Sequence, residues 1–205
     1  PACAQAALRA FGAAEFAKGI VRWILKPDLI STETWKQNRF INDRVAQVRA
    51  SRIQSPKAAT RKAAETPEKY TEDRFSLGAV LFVPQLVAEG REYVTCGVLT
   101  DRSLVLAPHF HASLSELVTF SLIASKLHLV WIGTVCGKLK TDYRYSNTLG
   151  WNTFPVPPLT VQNKADLTRC AEDILLAREA HFPATIADLY DPEKMPENLR
   201  QAHDR

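Results

Sequence analysis

The 205 residues carry 26 Lys and Arg against 22 Asp and Glu, a formal net charge of +4 with a pI near 9.0, and 46% are hydrophobic. This is ordinary globular usage, which excludes a disordered or low-complexity chain and leaves room for one core with an appendage. Cys3, Cys96, Cys136 and Cys170 are scattered with no C-x-x-C pair, a pattern that argues against a disulfide framework and for reduced thiols.

The alanine-rich start carries Arg9 and Glu15 and lacks the uninterrupted apolar stretch of a secretory signal. Because Met195 is the only methionine and the chain opens at Pro1, a piece of a longer polypeptide or a processed product is expected. Between Lys36 and Lys62, eight basic residues stand against the single acid Asp43. Ile41, Arg44, Val45, Val48, Arg49 and Arg52 recur at helical spacing, which predicts an amphipathic helix with an arginine flank running into a loop at Ser55-Pro56. Folded onto one face, Arg49, Arg52, Lys57, Arg61 and Lys62 form a phosphate-binding footprint; the plainer alternative is a solvated helix face.

Residues 75–83 and 92–99, separated by a turn at Glu89-Gly90, alternate like antiparallel strands, and 104–106 makes a third after a turn at Asp101. His109-Phe110-His111 offers two imidazoles with no third ligand at a persuasive spacing, so no metal site is expected. Ser113 with Glu116 spells a capping box, predicting a helix over 114–124, a break near Ser125 and a second helix to Cys136, closed by Gly137. The apolar run 117–135 has Lys126 and His128 near its middle, which favours a buried helix pair over a membrane span.

The next stretch, CGKLKTDYRYSNTLGWNTFPVP from Cys136 to Pro157, alternates charged and aromatic residues. If extended, it places Lys138, Lys140, Asp142 and Arg144 on one face and Tyr143 and Tyr145 on the other, toward a core. A lysine donates to guanine O6/N7 and an aspartate accepts from the N4 amino group of the paired cytosine, so Lys140 and Asp142 fit the two edges of one G·C pair. Arg144 then reaches a neighbouring base or a phosphate, and Ser146 and Asn147 donate to a phosphate. The same pattern also fits a solvated edge strand protected by charge.

Beyond Pro155, Pro157 and Pro158 the sign of the charge reverses, with nine acids between Asp166 and Asp204. Asn163 is placed to cap a packing or docking helix ending near Ala180, an irregular helical piece covers 184–190, and the segment from Asp191-Pro192 to Pro196 breaks it. The expected class is α+β: a small, mainly antiparallel sheet packed with helices, followed by a C-terminal helical segment. The expected organisation is a recognition domain over 1–160, with a basic lead-in over 1–74 and the sheet, helix pair and base-reading segment over 75–160, and then a helical region over 161–205.

The segment SLSELVTFSLIASKLHLVWIGTVCGKLKTDYRYSNTLGWNTFPVP resembles the target recognition domain of MmeI-like (type IIL) DNA methyltransferases, which join adenine methylation and restriction in one polypeptide. Upstream, FGAAEFAKGIVRWIL and DRVAQVRASRIQSPKAATRKAAETPEKY resemble the passage from the family's methylase domain into target recognition. Downstream, LTRCAEDILLAREAHFPATIADLYDPEKMPENLRQAH resembles its C-terminal helical region.

The resemblance implies double-stranded DNA as partner, together with a methyltransferase domain of the same parent polypeptide, in a bacterial cytoplasm and without membrane. It also implies S-adenosylmethionine in that missing domain, since no N-P-P-Y motif or glycine-rich methyl-donor loop occurs here, and no cofactor or catalytic residue in this chain. The family's base-reading positions after the G-[KR]-L turn carry over to Lys140, Asp142 and Arg144; Lys138 and Ser146 beside them are, by their own chemistry, expected phosphate contacts. Asn152 is retained, while Trp151 and Thr153 depart from the family's smaller aromatic and second Asn. Further base-reading positions lie within 85–111, where Arg91, Pro108 and His109 are candidates. Two other readings use the same residues: a stand-alone specificity subunit that docks separate methylase and nuclease chains through acidic C-terminal helices, and a basic module that binds an acidic protein.

Overall fold

A computed structural model describes residues 2–73, 75–76, 78–100 and 102–205, so the turn expected at Asp101 lies outside the described residues. The first third of the chain forms α1 (Ala2–Ala6), β1 (Ala7–Phe11), α2 (Ala13–Lys18), β2 (Trp23–Leu25), α3 (Thr32–Gln37), α4 (Arg39–Ile53) and α5 (Ala58–Lys62). The middle forms β3 (Phe75–Ser76), β4 (Val80–Val83), β5 (Leu86–Val87), β6 (Gly97–Leu99), β7 (Ser103–Val105), β8 (Phe110–Ser113), α6 (Val118–Ala124) and α7 (Lys126–Val135). The end forms β9 (Lys138–Leu139), β10 (Asp142–Arg144), a π-helical turn (Asn147–Trp151), α8 (Val161–Glu179), α9 (Ile186–Leu189) and α10 (Glu197–Asp204). The class is α+β, as expected. The chain divides into two compact units, Pro1–Ala10 with Val21–Phe75, and Phe11–Ile20 with Ser76–Arg205.

In the first unit β1 pairs antiparallel with β2, Ala7 opposite Leu25 and Arg9 opposite Trp23. The basic helix forms as its periodicity predicts. Asn38 caps α4 by accepting from the Ile41 amide at 3.1 Å, and Ile41 and Val45 face inward onto Ala6 and Trp35. Lys26 is almost wholly buried, and its ammonium is neutralised by Asp28 at 2.8 Å and Asp73 at 2.7 Å. Unpaired, a cation at that depth would be costly.

In the second unit β4 is the central strand of a three-stranded antiparallel sheet. Leu81 lies opposite Val98 on β6 and opposite Ala112 on β8. All four residues of β4 are buried, because successive side chains feed two different clusters. Val80 and Phe82 join Leu99 and Val105, whereas Leu81 and Val83 join the main core with Phe120, Ile132 and Tyr145. A strand covered on both faces is therefore apolar without alternation.

The Ser113-Glu116 capping box is not used. Ser113 ends β8, the Leu114 amide continues the sheet onto the Ala79 carbonyl at 3.1 Å, and α6 starts only at Val118. Pairing with β4 claims the backbone that a cap would have needed. The break at Ser125 occurs as read: α6 and α7 bend by 62°, and the Ser125 hydroxyl caps α7 by accepting from the His128 amide at 3.1 Å. No single helix among the described residues is long and apolar enough to cross a membrane, and this bent pair places Phe120, Ile123, His128 and Ile132 in the core.

Thr160, not Asn163, is the N-cap of α8. Its hydroxyl accepts from the Asn163 amide at 3.1 Å while the Asn163 side chain reaches back to the Thr160 amide at 3.2 Å. The turn at 191–196 breaks the piece before it, as read, and α10 follows. These helices complete the main core through Ala171, Ile174, Leu189, Tyr190 and Leu199. Arg178 is buried, donating to the Cys96 carbonyl at 2.9 Å and to the Tyr190 hydroxyl at 2.8 Å. Several acids at this end are taken up by intramolecular ion pairs, Asp204 with Lys126 at 2.6 Å and Asp173 with Arg205 at 2.7 Å among them. α8 is a packing helix.

Candidate nucleic-acid interface

The charged segment folds as a hairpin, not as one extended strand. Asp142 lies opposite Leu139 and Tyr143 opposite Lys138, so Lys140 and Thr141 are the two residues of the turn. The Arg144 amide extends the ladder onto the Gly137 carbonyl at 2.8 Å. Lys140 sits at the tip, exposed, with φ at +57°. Two-residue hairpin turns favour positive φ at the first central position because that twist matches the flanking strands. β5 borders the other side of β10, with Val87 opposite Tyr143 and Leu86 opposite Arg144.

This geometry corrects the single-face expectation. Cross-strand partners share a face, so Lys138 goes with Tyr143 and leaves Asp142 and Arg144 with Leu139 and Leu86. The turn between Leu139 and Asp142 reverses the alternation that a straight strand would have carried through. On the inner face, Val87 and Tyr145 are buried, and Tyr143 lies against Gly133 of α7, where an added Cβ would meet its ring at 3.2 Å. The outer face is open. Leu86 and Leu139 are 40% and 50% exposed, Arg144 is exposed with no side-chain partner among the described residues, and Asp142 is half-buried.

Lys138, expected at a phosphate, is engaged within the protein. Its ammonium pairs with Glu89 at 3.1 Å and lies 5.0 Å from the centre of the Tyr143 ring. The Glu89 amide is 3.4 Å from Asp142 Oδ1. Nothing in the sequence marked Glu89 beyond its place in a turn, since its partners lie some fifty positions along the chain.

Behind the hairpin the chain is held by a buried polar contact. His128 Nε2 is 3.0 Å from the Tyr145 hydroxyl, and the His128 ring meets Phe154 edge-on at 4.6 Å. Burial lowers the His128 pKa from its ordinary 6.5 to about 4 and raises that of Tyr145. The ring is therefore neutral at pH 7, and the pair ties α7 to the strand carrying Arg144. Ser146 caps the π-helical turn by accepting from the Leu149 amide at 3.4 Å, and the Asn152 amide closes it onto the Asn147 carbonyl at 2.9 Å. Thr153 donates its hydroxyl to the Leu149 carbonyl. A cavity of about 350 Å³ opens here, lined by Gln85, Phe110, Gly137, Arg144, Tyr145, Ser146 and Asn147.

The candidates within 85–111 are largely engaged elsewhere. Arg91 reaches the Ala187 carbonyl at 3.4 Å, and the His109 ring nitrogens lie 3.0 Å from the Ala13 amide and 3.2 Å from that of Gln85. Pro108 is exposed.

In the first unit, Arg49, Lys57 and Lys62 project to solvent with no side-chain partner among the described residues. Arg52 does not: its guanidinium donates to the carbonyls of Ala63 at 2.8 Å, Thr66 at 3.1 Å and Lys69 at 2.7 Å. Arg61 donates to the Ser55 and Pro56 carbonyls at 2.9 and 2.7 Å. Each guanidinium gathers the carbonyls of a nearby turn, and those of Ala63 and Thr66 accept backbone amides as well.

A charged hairpin tip carried on a rigid α+β body, in a chain that also bears a run of exposed cations, defines a recognition domain that displays polar side chains from a fixed platform. The chain belongs to the MmeI target recognition family: the family described as "MmeI, target recognition domain" matches residues 1–158, and "MmeI, C-terminal domain" matches 160–205. DNA methyltransferase A of Bacillus subtilis (strain 168) is 31% identical over 194 residues, 95% of this chain and 22% of that protein. A solved structure of the type IIL restriction-modification enzyme MmeI in complex with DNA superposes with a TM-score of 0.93 at 28% identity, covering 100% of this chain and 27% of that one. The chain thus spans about a quarter of the length of these relatives.

Proposed function

We propose that this chain is the sequence-reading part of a restriction-modification DNA methyltransferase acting on adenine N6, and that its ligand is double-stranded DNA. Lys140, Asp142 and Arg144 contact bases, with Lys140 and Asp142 taking the guanine and cytosine edges of one G·C pair, guanine on the methylated strand at the outermost position of the site. Each good base contact contributes about 1–3 kcal/mol of discrimination. Phosphate contacts fall first to Arg49, Lys57 and Lys62, whose ammonium and guanidinium groups are open to solvent. Arg61 keeps donors beyond those used on Ser55 and Pro56, and the Ser146 hydroxyl hydrogen remains available. Arg52 and Lys138 contribute less, because their heads are engaged within the protein.

Residues 1–160 act as the recognition domain and 161–205 as the helical region that braces it. The methyl donor, S-adenosylmethionine, belongs to a methyltransferase domain of the same parent polypeptide, in a bacterial cytoplasm. One observation supports this reading above the others: Lys140 stands at the tip of a hairpin whose outer face bears Asp142 and Arg144, in a chain similar over its full length to part of a DNA-bound enzyme.

Selection of duplexes from a randomised library by the chain, beside its Lys140→Glu plus Asp142→Arg variant, tests it. The expected result is a short enriched site whose outer base changes from G to C in the variant. An unchanged preference after the charge swap sinks the assignment of these two residues.

A further inference from the structure

The base-reading hairpin is cross-linked by a residue that belongs to neither of its strands. Glu89 lies in the turn after β5, which the Arg91 amide closes onto the Ala88 carbonyl at 2.9 Å. Its backbone amide approaches Asp142 Oδ1 on β10 at 3.4 Å, and its carboxylate pairs at 3.1 Å with Lys138 on β9. Lys138 in turn rests its ammonium 5.0 Å from the centre of the ring of Tyr143, the residue following Asp142. The circuit thus runs from one strand of the hairpin through Glu89 to the other.

We propose that Glu89 is a positioning residue for Asp142, fixing the carboxylate that reads the cytosine edge. The inference rests on Asp142 being a base contact. A carboxylate has only acceptors, and one backbone amide on Oδ1 leaves Oδ2 and the remaining lone pairs to receive a cytosine N4 amino group. With one oxygen held, the side chain reaches the base in a set orientation and does not have to be ordered when DNA arrives. The Glu89–Lys138 pair fixes the turn that carries the amide. It also accounts for a lysine beside the reading face that is turned away from it.

Glu89 itself does not touch a base, so its effect is confined to one position of the site. Glu89 and Lys138 are 52% and 44% exposed, and an exposed pair of this kind alters an equilibrium about two- to fivefold. Glu89→Gln removes the charge while keeping size and backbone amide. Because it also removes a negative charge near DNA, overall affinity rises slightly, and the informative quantity is the discrimination ratio at each base pair.

The experiment is competition binding between duplexes that differ from the selected site by one base pair. It compares the 205-residue chain with its Glu89→Gln, Glu89→Lys plus Lys138→Glu, and Asp142→Ala variants, with melting temperatures alongside. The expected outcome is a two- to fivefold loss of discrimination in Glu89→Gln, only at the position where Asp142→Ala also loses it, and recovery in the charge-reversed pair. Equal loss at every position, or none while Asp142→Ala loses discrimination, overturns the positioning role and leaves the base-reading assignment standing. Unchanged discrimination in Asp142→Ala overturns both.

Discussion

The Tyr145 hydroxyl and His128 Nε2 lie 3.0 Å apart in the core of the second unit, joining the strand that carries Arg144 to the apolar helix behind it. Both side chains are buried, His128 completely, and the imidazole is held neutral. Its pKa is about 4 in the folded chain against about 6.5 when unfolded. Between these values the unfolded chain binds more protons, so folding stability is intact above pH 6.5 and falls as pH drops toward 4. His203, lowered to about 3 by burial and by the nearby Arg178 guanidinium, acts in the same direction. The loss from His128 alone is about 2 kcal/mol at pH 5. Urea denaturation at pH 7.5 and pH 5 measures it, and His128→Gln should flatten the dependence; an equally steep dependence in that variant removes His128 as the cause.

Lys140 occupies a left-handed backbone conformation that a side chain makes unfavourable by about 1 kcal/mol and that glycine adopts freely. The turn alone would be served better by glycine, and on the proposed function the ammonium's base contact accounts for the lysine. Lys140→Gly is expected to leave stability unchanged or raise it by up to about 1 kcal/mol, while discrimination at its base pair falls about tenfold or more. Denaturation midpoints and single-mismatch competition separate the two effects. A less stable variant with full discrimination contradicts this account.

Arg49 and Arg52 are neighbours on α4, the first open to solvent and the second bound to three carbonyls, and salt dependence tells them apart. Arg49 is free to meet a phosphate, so Arg49→Ala should reduce the slope of log affinity against log salt by about 0.9. Arg52→Ala should leave that slope nearly unchanged and cost about 1–3 kcal/mol of stability, because three hydrogen bonds from its guanidinium are lost. Titrations of one duplex at several salt concentrations, with melts of both variants, supply the comparison.

Gly150 lies where the π-helical turn presses on α7. A Cβ there would meet Ile132 Cγ2 at 3.1 Å and Cys136 Sγ at 3.2 Å. Gly150→Ala should therefore destabilise the chain by about 1–3 kcal/mol through overpacking. Thermal melting reads the loss, and a variant as stable as the parent means the turn relaxes without resistance.

The basic helix α4, the break at Ser125 and the inward tyrosines of the hairpin were legible in the sequence, because each follows from local periodicity or a nearby cap. Lys140, Asp142 and Arg144 stood out because no core accepts such charges in alternation. The path of that segment did not follow from the alternation: a turn at Lys140-Thr141 changed which residues share a face, and Lys138 fell on the inner side. Ser113 was misleading for a related reason, since strand pairing with β4 took precedence over an available helix cap.

What the sequence by itself determined about this protein is its inventory: an α+β composition, a basic stretch in the first third, and a charged, aromatic segment after an apolar helix pair. These are properties of residues close together along the chain. Only the tertiary structure decided which charges remain available, turning Arg52 onto three carbonyls, Lys138 onto Glu89 and Arg178 into the core. Those pairings join residues 11 to 82 positions apart, and they depend on which carbonyls and carboxylates folding brings within reach of each cation.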